Sequence, residues 1–96
     1  MRYKNVYFLG IGGIGMSALA RYFKAKGFEV AGYDRTRSML CEELEAENIL
    51  IHYDDSVELI PTIFLQRDAT LIVYTPAIPE NHSEFQYFKQ QGFTIQ

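Results

Sequence analysis

The stretch that most constrains this chain is Gly10-Ile11-Gly12-Gly13-Ile14-Gly15-Met16-Ser17. Each glycine costs about 0.5–1 kcal/mol of backbone entropy relative to alanine, so four in six residues mark a place where bare backbone is needed. Gly10, Gly12 and Gly15 match G-x-G-x-x-G, the turn that joins strand to helix in nucleotide-binding βαβ units. The context fits: the apolar run Val6-Tyr7-Phe8-Leu9 precedes it, an apolar helical segment follows, and Asp34 closes the next apolar run. In such turns the first glycine permits the tight bend and the second lets a phosphate approach the backbone. The third lets helix and strand pack closely, and the helix N-terminus offers unpaired N–H groups and a partial positive charge. The plainer reading, in which the glycines serve only turn and packing, stays open. The surrounding pattern favours a phosphate-bearing ligand.

Ninety-six residues suffice for one domain with one core. Seven Phe and seven Tyr supply bulk for that core, and the net charge of −3 with no basic stripe argues against a nucleic-acid or membrane-surface binder. The lone Cys41 can form no internal disulfide, which fits a reducing cytoplasmic setting, and no metal-ligand spacing accompanies it. Met1-Arg2-Tyr3-Lys4, the apolar stretch after it and Ala18-Leu19-Ala20 resemble a secretory leader on paper. The interrupting glycines argue against one, and no run is long enough to span a membrane.

Strands are expected at Asn5–Leu9, Phe28–Tyr33, Ile49–Ile51 running into His52, Leu71–Tyr74 and Phe93–Ile95. Between them helices are expected from Gly13 to Lys26, from an N-cap at Ser38 to Glu47, and from an N-cap pair of Asn81 with Glu84 to Gly92. Ser17, Arg21 and Lys24 project as a narrow polar stripe on the first helix, leaving Ile14, Ala18, Leu19, Tyr22 and Phe23 for burial. Asn48 is expected as a left-handed stop. Ser56–Ile60 reads as a short helix ended by Pro61, and Thr62–Ala69 gives no clear signal. Helix, glycine, strand recurs at Phe23–Val30 and Phe88–Ile95, one junction solved twice. Alternating strands and helices imply an α/β fold: a Rossmann-like three-layer domain with a parallel five-stranded sheet of order 3-2-1-4-5.

Ligands in such sheets bind beyond the carboxyl ends of the strands, where the order reverses. That gathers Gly12, Gly13, Ile14, Gly15, Met16, Ser17, Asp34, Arg35, His52, Tyr53, Thr75, Pro76, Ala77 and Ile78 as candidate binding residues. Asp34 can reach a ribose hydroxyl or cap a turn. Arg35 and Arg37 meet a phosphate or are solvated. His52 and Tyr53 touch a base or sugar or are structural, and the stiff Thr75–Pro79 loop can present backbone groups. His82 reads as a surface residue, Asp54, Asp55 and Glu58 as a solvated loop, and Glu42, Glu43, Glu45 and Glu47 as the wet face of the second helix. No triphosphate-binding G-x-x-x-x-G-K-[ST] loop and no nucleophile beside a base is visible, so no catalytic residue and no metal is assigned.

Gly10-Ile11-Gly12-Gly13-Ile14-Gly15-Met16-Ser17-Ala18-Leu19-Ala20 resembles the amino-terminal signature of the Mur ligases, more specific than a general dinucleotide fingerprint. Val30-Ala31-Gly32-Tyr33-Asp34 resembles the family's second strand, with Tyr33 in place of its usual serine. Val73-Tyr74-Thr75-Pro76-Ala77-Ile78 resembles its Ser-Ser-Ala-Ile loop, and His52-Tyr53 stands where the family often has Gly-His. The resemblance implies one domain, residues 1–96, holding the UDP part of UDP-N-acetylmuramate. A central ATP-binding domain and a carboxy-terminal domain for L-alanine would lie outside it, with ATP and magnesium bound there. It further implies a cytoplasmic ligase of peptidoglycan precursor synthesis, and no activity in the 96 residues alone. The readings left beside it are an NAD-binding dehydrogenase domain, to which Asp34 is equally suited, and a non-enzymatic nucleotide-sensing module.

Overall fold

The structure is a computed structural model that describes residues 3–96. The basic start at Met1 and Arg2, part of the leader-like pattern, lies outside them. Five strands, β1 (Asn5–Leu9), β2 (Glu29–Tyr33), β3 (Leu50–His52), β4 (Thr70–Tyr74) and β5 (Thr94–Ile95), form one sheet of order β3-β2-β1-β4-β5. Every pairing is parallel, as the alternation of strands and helices requires. The helices are α1 (Ile14–Ala25), α2 (Met39–Ala46) and α3 (Ser83–Gln90). The stretch without a sequence signal, Thr62–Ala69, forms two 3-10 turns, Thr62–Leu65 and Arg67–Ala69, and a third spans Val57–Leu59. No helix among the described residues is long and apolar enough to cross a membrane.

The central strand is buried along its whole length, and its side chains feed two cores on opposite faces. Val6 and Phe8 pack with Ala20, Val30, Leu44 and Ile49 on the α1–α2 face. Tyr7 and Leu9 pack with Phe64, Phe85, Phe88 and Phe93 on the α3 face. All three helices end on the same device. Gly27, Asn48 and Gly92 sit at positive φ, and the next N–H reaches back into the final turn: Phe28 to Phe23 O, Ile49 to Leu44 O and Phe93 to Phe88 O.

Helix α1 departs from the expected orientation. Ser17 and Ala20 face the sheet, while Ile14, Leu19 and Tyr22 are exposed. Two small residues let the helix lie close to the strands, and the Ser17 hydroxyl is satisfied by donating to Ile14 O. The stripe below Ser17 faces α2 rather than solvent: Arg21 pairs with Glu43 and Glu47, and Lys24 Nζ donates to Asn48 O. The N-cap of α3 also falls one residue later than expected, at His82 rather than Asn81.

Candidate functional site

A cleft of about 670 Å3 opens at the carboxyl ends of β1, β2 and β4. Its floor is the glycine turn. Gly10 takes φ +93°, a left-handed value that favours glycine, and a Cβ there would overlap Thr75 Cγ2. The N–H groups of Gly10 and Ile11 both donate to Tyr33 O, at 2.8 and 3.1 Å, tying the turn to the end of β2. Gly12 is pressed from the protein side: a Cβ there would lie 2.6 Å from Cys41 Sγ and 2.9 Å from Asp34 Oδ2. The third glycine does no packing, because Gly15 has open space where a Cβ would stand.

The backbone of this turn is partly committed. Gly12 N–H donates to Asp34 Oδ2 at 2.7 Å, Gly13 N–H to Gly10 O, and Ser17 N–H to Gly13 O. The N–H groups of Ile14, Gly15 and Met16 have no acceptor among the described residues, and no side chain caps α1. The other two helices differ. Ser38 accepts from Cys41 N–H at the start of α2. At the start of α3, Asp55 accepts from Ser83 and Glu84 N–H, and His82 Nδ1 accepts from Phe85 N–H. The first turn of α1 therefore stands apart as an uncapped, positively polarised end beside the cleft.

Of the candidate binding residues, Gly12, Gly13, Asp34, Arg35, Thr75, Ala77 and Ile78 line the cleft. Asp34 is a clamp as much as a wall: its second oxygen accepts from Thr36 N–H at 3.0 Å, so the carboxylate braces the glycine turn and the loop after β2 together. Arg35 forms no ion pair among the described residues, whereas Arg37 is held on Glu45 at 2.7 Å and over the Tyr53 ring. Ile14, Gly15, Met16 and Pro76 lie outside the cleft wall, and Ser17 is buried beneath α1. Tyr53 also lies outside it, with its hydroxyl donating to Glu45. Burial, and then that carboxylate, raise the Tyr53 pKa above its ordinary value.

His52 is not part of the wall either; it belongs to a buried polar group behind it. Glu84, read from sequence as half of a capping pair, is fully buried on the sheet side of α3. It accepts from the Tyr7 hydroxyl at 2.6 Å, from His52 Nε2 at 2.7 Å and from Ser56 N–H at 3.1 Å. Tyr7 is held far above its ordinary pKa, first by burial and then by the Glu84 carboxylate. A second departure is His82, which is buried and lines the cleft instead of facing solvent. Its ring stands edge-on to Tyr33, with centroids 4.6 Å apart. Asp55, read as a solvated loop residue, caps α3 across the chain. The usable signal was Tyr7: a tyrosine in a strand covered on both faces needs a buried acceptor, and Glu84 is the acid that α3 brings to it. Among the described residues no group of three or more His, Cys, Asp or Glu is placed to hold a metal ion.

A family model described as "Mur ligase family, catalytic domain" matches residues 5–96. The UDP-N-acetylmuramate--L-alanine ligase of Phocaeicola vulgatus is 58% identical over 92 residues, covering 96% of this chain and 20% of the relative. The protein of the same name in Parabacteroides distasonis is 59% identical over 90 residues, covering 94% of this chain and 20% of the relative. The crystal structure of UDP-N-acetylmuramate-alanine ligase from Thermotoga maritima superposes with a TM-score of 0.83 at 27% identity, covering 95% of this chain and 20% of that one. The chain thus spans about a fifth of the length of the relatives it matches.

Proposed function

The chain belongs to the Mur ligase family, and on that premise we propose that it is the UDP-sugar-binding domain of a UDP-N-acetylmuramate–L-alanine ligase. The observation that carries this reading is the uncapped start of α1, where the N–H groups of Ile14, Gly15 and Met16 have no acceptor among the described residues and follow directly on Gly12 and Gly13 of the cleft wall. Three unpaired N–H groups at the positive end of a helix suit a diphosphate. Gly13 leaves the backbone bare for its approach, Gly12 lets Cys41 and Asp34 brace the turn, and Arg35 supplies the nearby cation. Asp34, Thr75, Ala77 and Ile78 then line the nucleoside half of the ligand. Pro76 stiffens that loop. His52 and Tyr53 act from behind the wall, and Ser17 braces α1.

In the whole enzyme, residues 1–96 form the amino-terminal domain, and ATP, magnesium and L-alanine bind to further domains. ATP transfers its terminal phosphoryl group to the lactyl carboxylate of UDP-N-acetylmuramate, releasing ADP. The amine of L-alanine attacks the acyl phosphate, loses a proton and expels phosphate, leaving the amide of a cytoplasmic peptidoglycan precursor. This domain's part is to hold the substrate by its nucleotide so that the lactyl carboxylate reaches the other domains.

The test is a calorimetric titration with UDP-N-acetylmuramate, with NAD in parallel, on the chain and on Gly13→Glu. A Cβ at Gly13 meets only ordinary contacts, 3.6 Å and beyond, so the variant keeps the fold while placing bulk and negative charge at the turn. Saturable binding of the UDP-sugar, lost in the variant, is expected. Binding of NAD alone, or unchanged UDP-sugar affinity in the variant, refutes the assignment.

A further inference from the structure

Among the described residues, one buried side-chain polar atom has no hydrogen-bond partner, His82 Nε2. The His82 side chain is 4% exposed and forms part of the cleft wall. Its other ring nitrogen settles the proton's position. Nδ1 accepts from Phe85 N–H at 3.3 Å as the cap of α3, so the ring proton sits on Nε2. The alternative, Nδ1 protonated and donating to Asp55 Oδ1 at 3.3 Å, would strip Phe85 of its acceptor. Asp55 needs no such donor, because Ser83 and Glu84 N–H already bind it. The cleft wall thus holds an N–H donor with no hydrogen-bond partner among the described residues, a state that is unfavourable when buried.

We propose that His82 Nε2–H is a ligand contact, donating to a carbonyl oxygen of the pyrimidine base of the bound nucleotide. This rests on the nucleotide reading of the cleft given above. The surroundings select the chemistry. A phosphate beside His82 would face the Asp55 carboxylate, and the N–H groups at the start of α3 that could have offset it are all occupied. A neutral carbonyl meets no such repulsion. The cleft wall also holds Tyr33, Ile78 and Pro79, one aromatic and two apolar side chains suited to a base and unsuited to a diphosphate. The diphosphate falls to the free N–H groups of α1, so the two ends of the ligand are read by different helix starts. Nε2 is shielded from solvent, so the proposed contact requires a shift of the His82 and Tyr33 rings of the kind common at binding surfaces.

The experiment uses the chain labelled with 15N and titrated with UDP and, separately, with inorganic pyrophosphate, which carries no base. The imidazole spectrum of the free protein is expected to show His82 with its proton on Nε2. Saturating UDP should move that signal and the amides of Ile14 to Met16, whereas pyrophosphate should move only the amides. His82→Asn retains a good helix cap and removes Nε2–H. It should weaken UDP binding by about tenfold, the loss of one neutral hydrogen bond, and leave pyrophosphate binding unchanged. UDP that shifts the α1 amides but not His82, or that binds the variant as tightly, overturns the His82 assignment and leaves the nucleotide reading standing. UDP that shifts neither overturns both.

Discussion

Replacing Tyr7 with phenylalanine removes a single oxygen from the most deeply buried polar contact in the domain. Tyr7 and Glu84 are both fully buried, and the hydroxyl donates to Glu84 Oε1 at 2.6 Å. A hydrogen bond to a charged acceptor contributes about 1.5–3 kcal/mol. Its loss also leaves Oε1 without the donor that offsets its burial, while the ring volume and hence the packing against Phe64 and Phe88 are kept. The expected destabilisation is therefore about 2–3 kcal/mol, or a fall in melting temperature of about 10–20 °C for a domain of this size. Urea denaturation at pH 7 measures it directly. The pH dependence supplies an independent check. The folded pKa of Tyr7 is raised, first by burial and then by Glu84, so folding favours the protonated phenol. That contribution is intact below the unfolded value near pH 10. Above it the unfolded chain ionises and the folded one does not, so stability falls by about 1.4 kcal/mol per pH unit. The wild type should lose stability more steeply than Tyr7→Phe above pH 10. A destabilisation under about 0.5 kcal/mol at pH 7, with parallel alkaline slopes, would refute the claim that Glu84 is anchored as a charged group through Tyr7.

Two further substitutions separate the brace from the binding surface. Gly10→Ala is strained at φ +93° and overlaps Thr75, so it should cost more than about 3 kcal/mol and lower the melting temperature before any question of ligand arises. Asp34→Ala frees the N–H groups of Gly12 and Thr36. These lie at a partly open site, so a moderate loss of about 1–2 kcal/mol is expected, with hydrogen exchange accelerated at those two amides and unchanged at Phe8.

The sheet was legible because its signals are local and repeated. Val6 to Leu9 is apolar without a break, as a strand covered on both faces must be, and each helix carries its own stop in Gly27, Asn48 or Gly92. The glycine turn was legible for the same reason, since strand, turn and helix are contiguous in the chain. The orientation of α1 was not. Counting apolar residues assigns Ile14, Leu19 and Tyr22 to the core, yet Ser17 and Ala20 lie against the sheet. Closeness to the strands rewards small side chains, and Arg21 is drawn toward α2 by Glu43 and Glu47. Hydropathy along one helix contains neither fact.

The same distinction explains the misreading of the acids. In sequence, Asp55 and Glu84 are unremarkable polar residues of a loop and a first helical turn, and their partners lie far along the chain: Tyr7 is 77 positions from Glu84, and Asp55 is 28 from Ser83. Their effect is nevertheless on the cleft. Asp55 and His82 together saturate the start of α3. Glu84 fixes that helix to β1 through Tyr7 and to β3 through His52. With α3 capped by the protein's own carboxylate, and α2 by Ser38, the start of α1 is left as the one uncapped helix start among the described residues. In the proposed binding mode, the polarity of the ligand follows as much from the two helix starts that the protein has closed as from the glycines that keep the third one open.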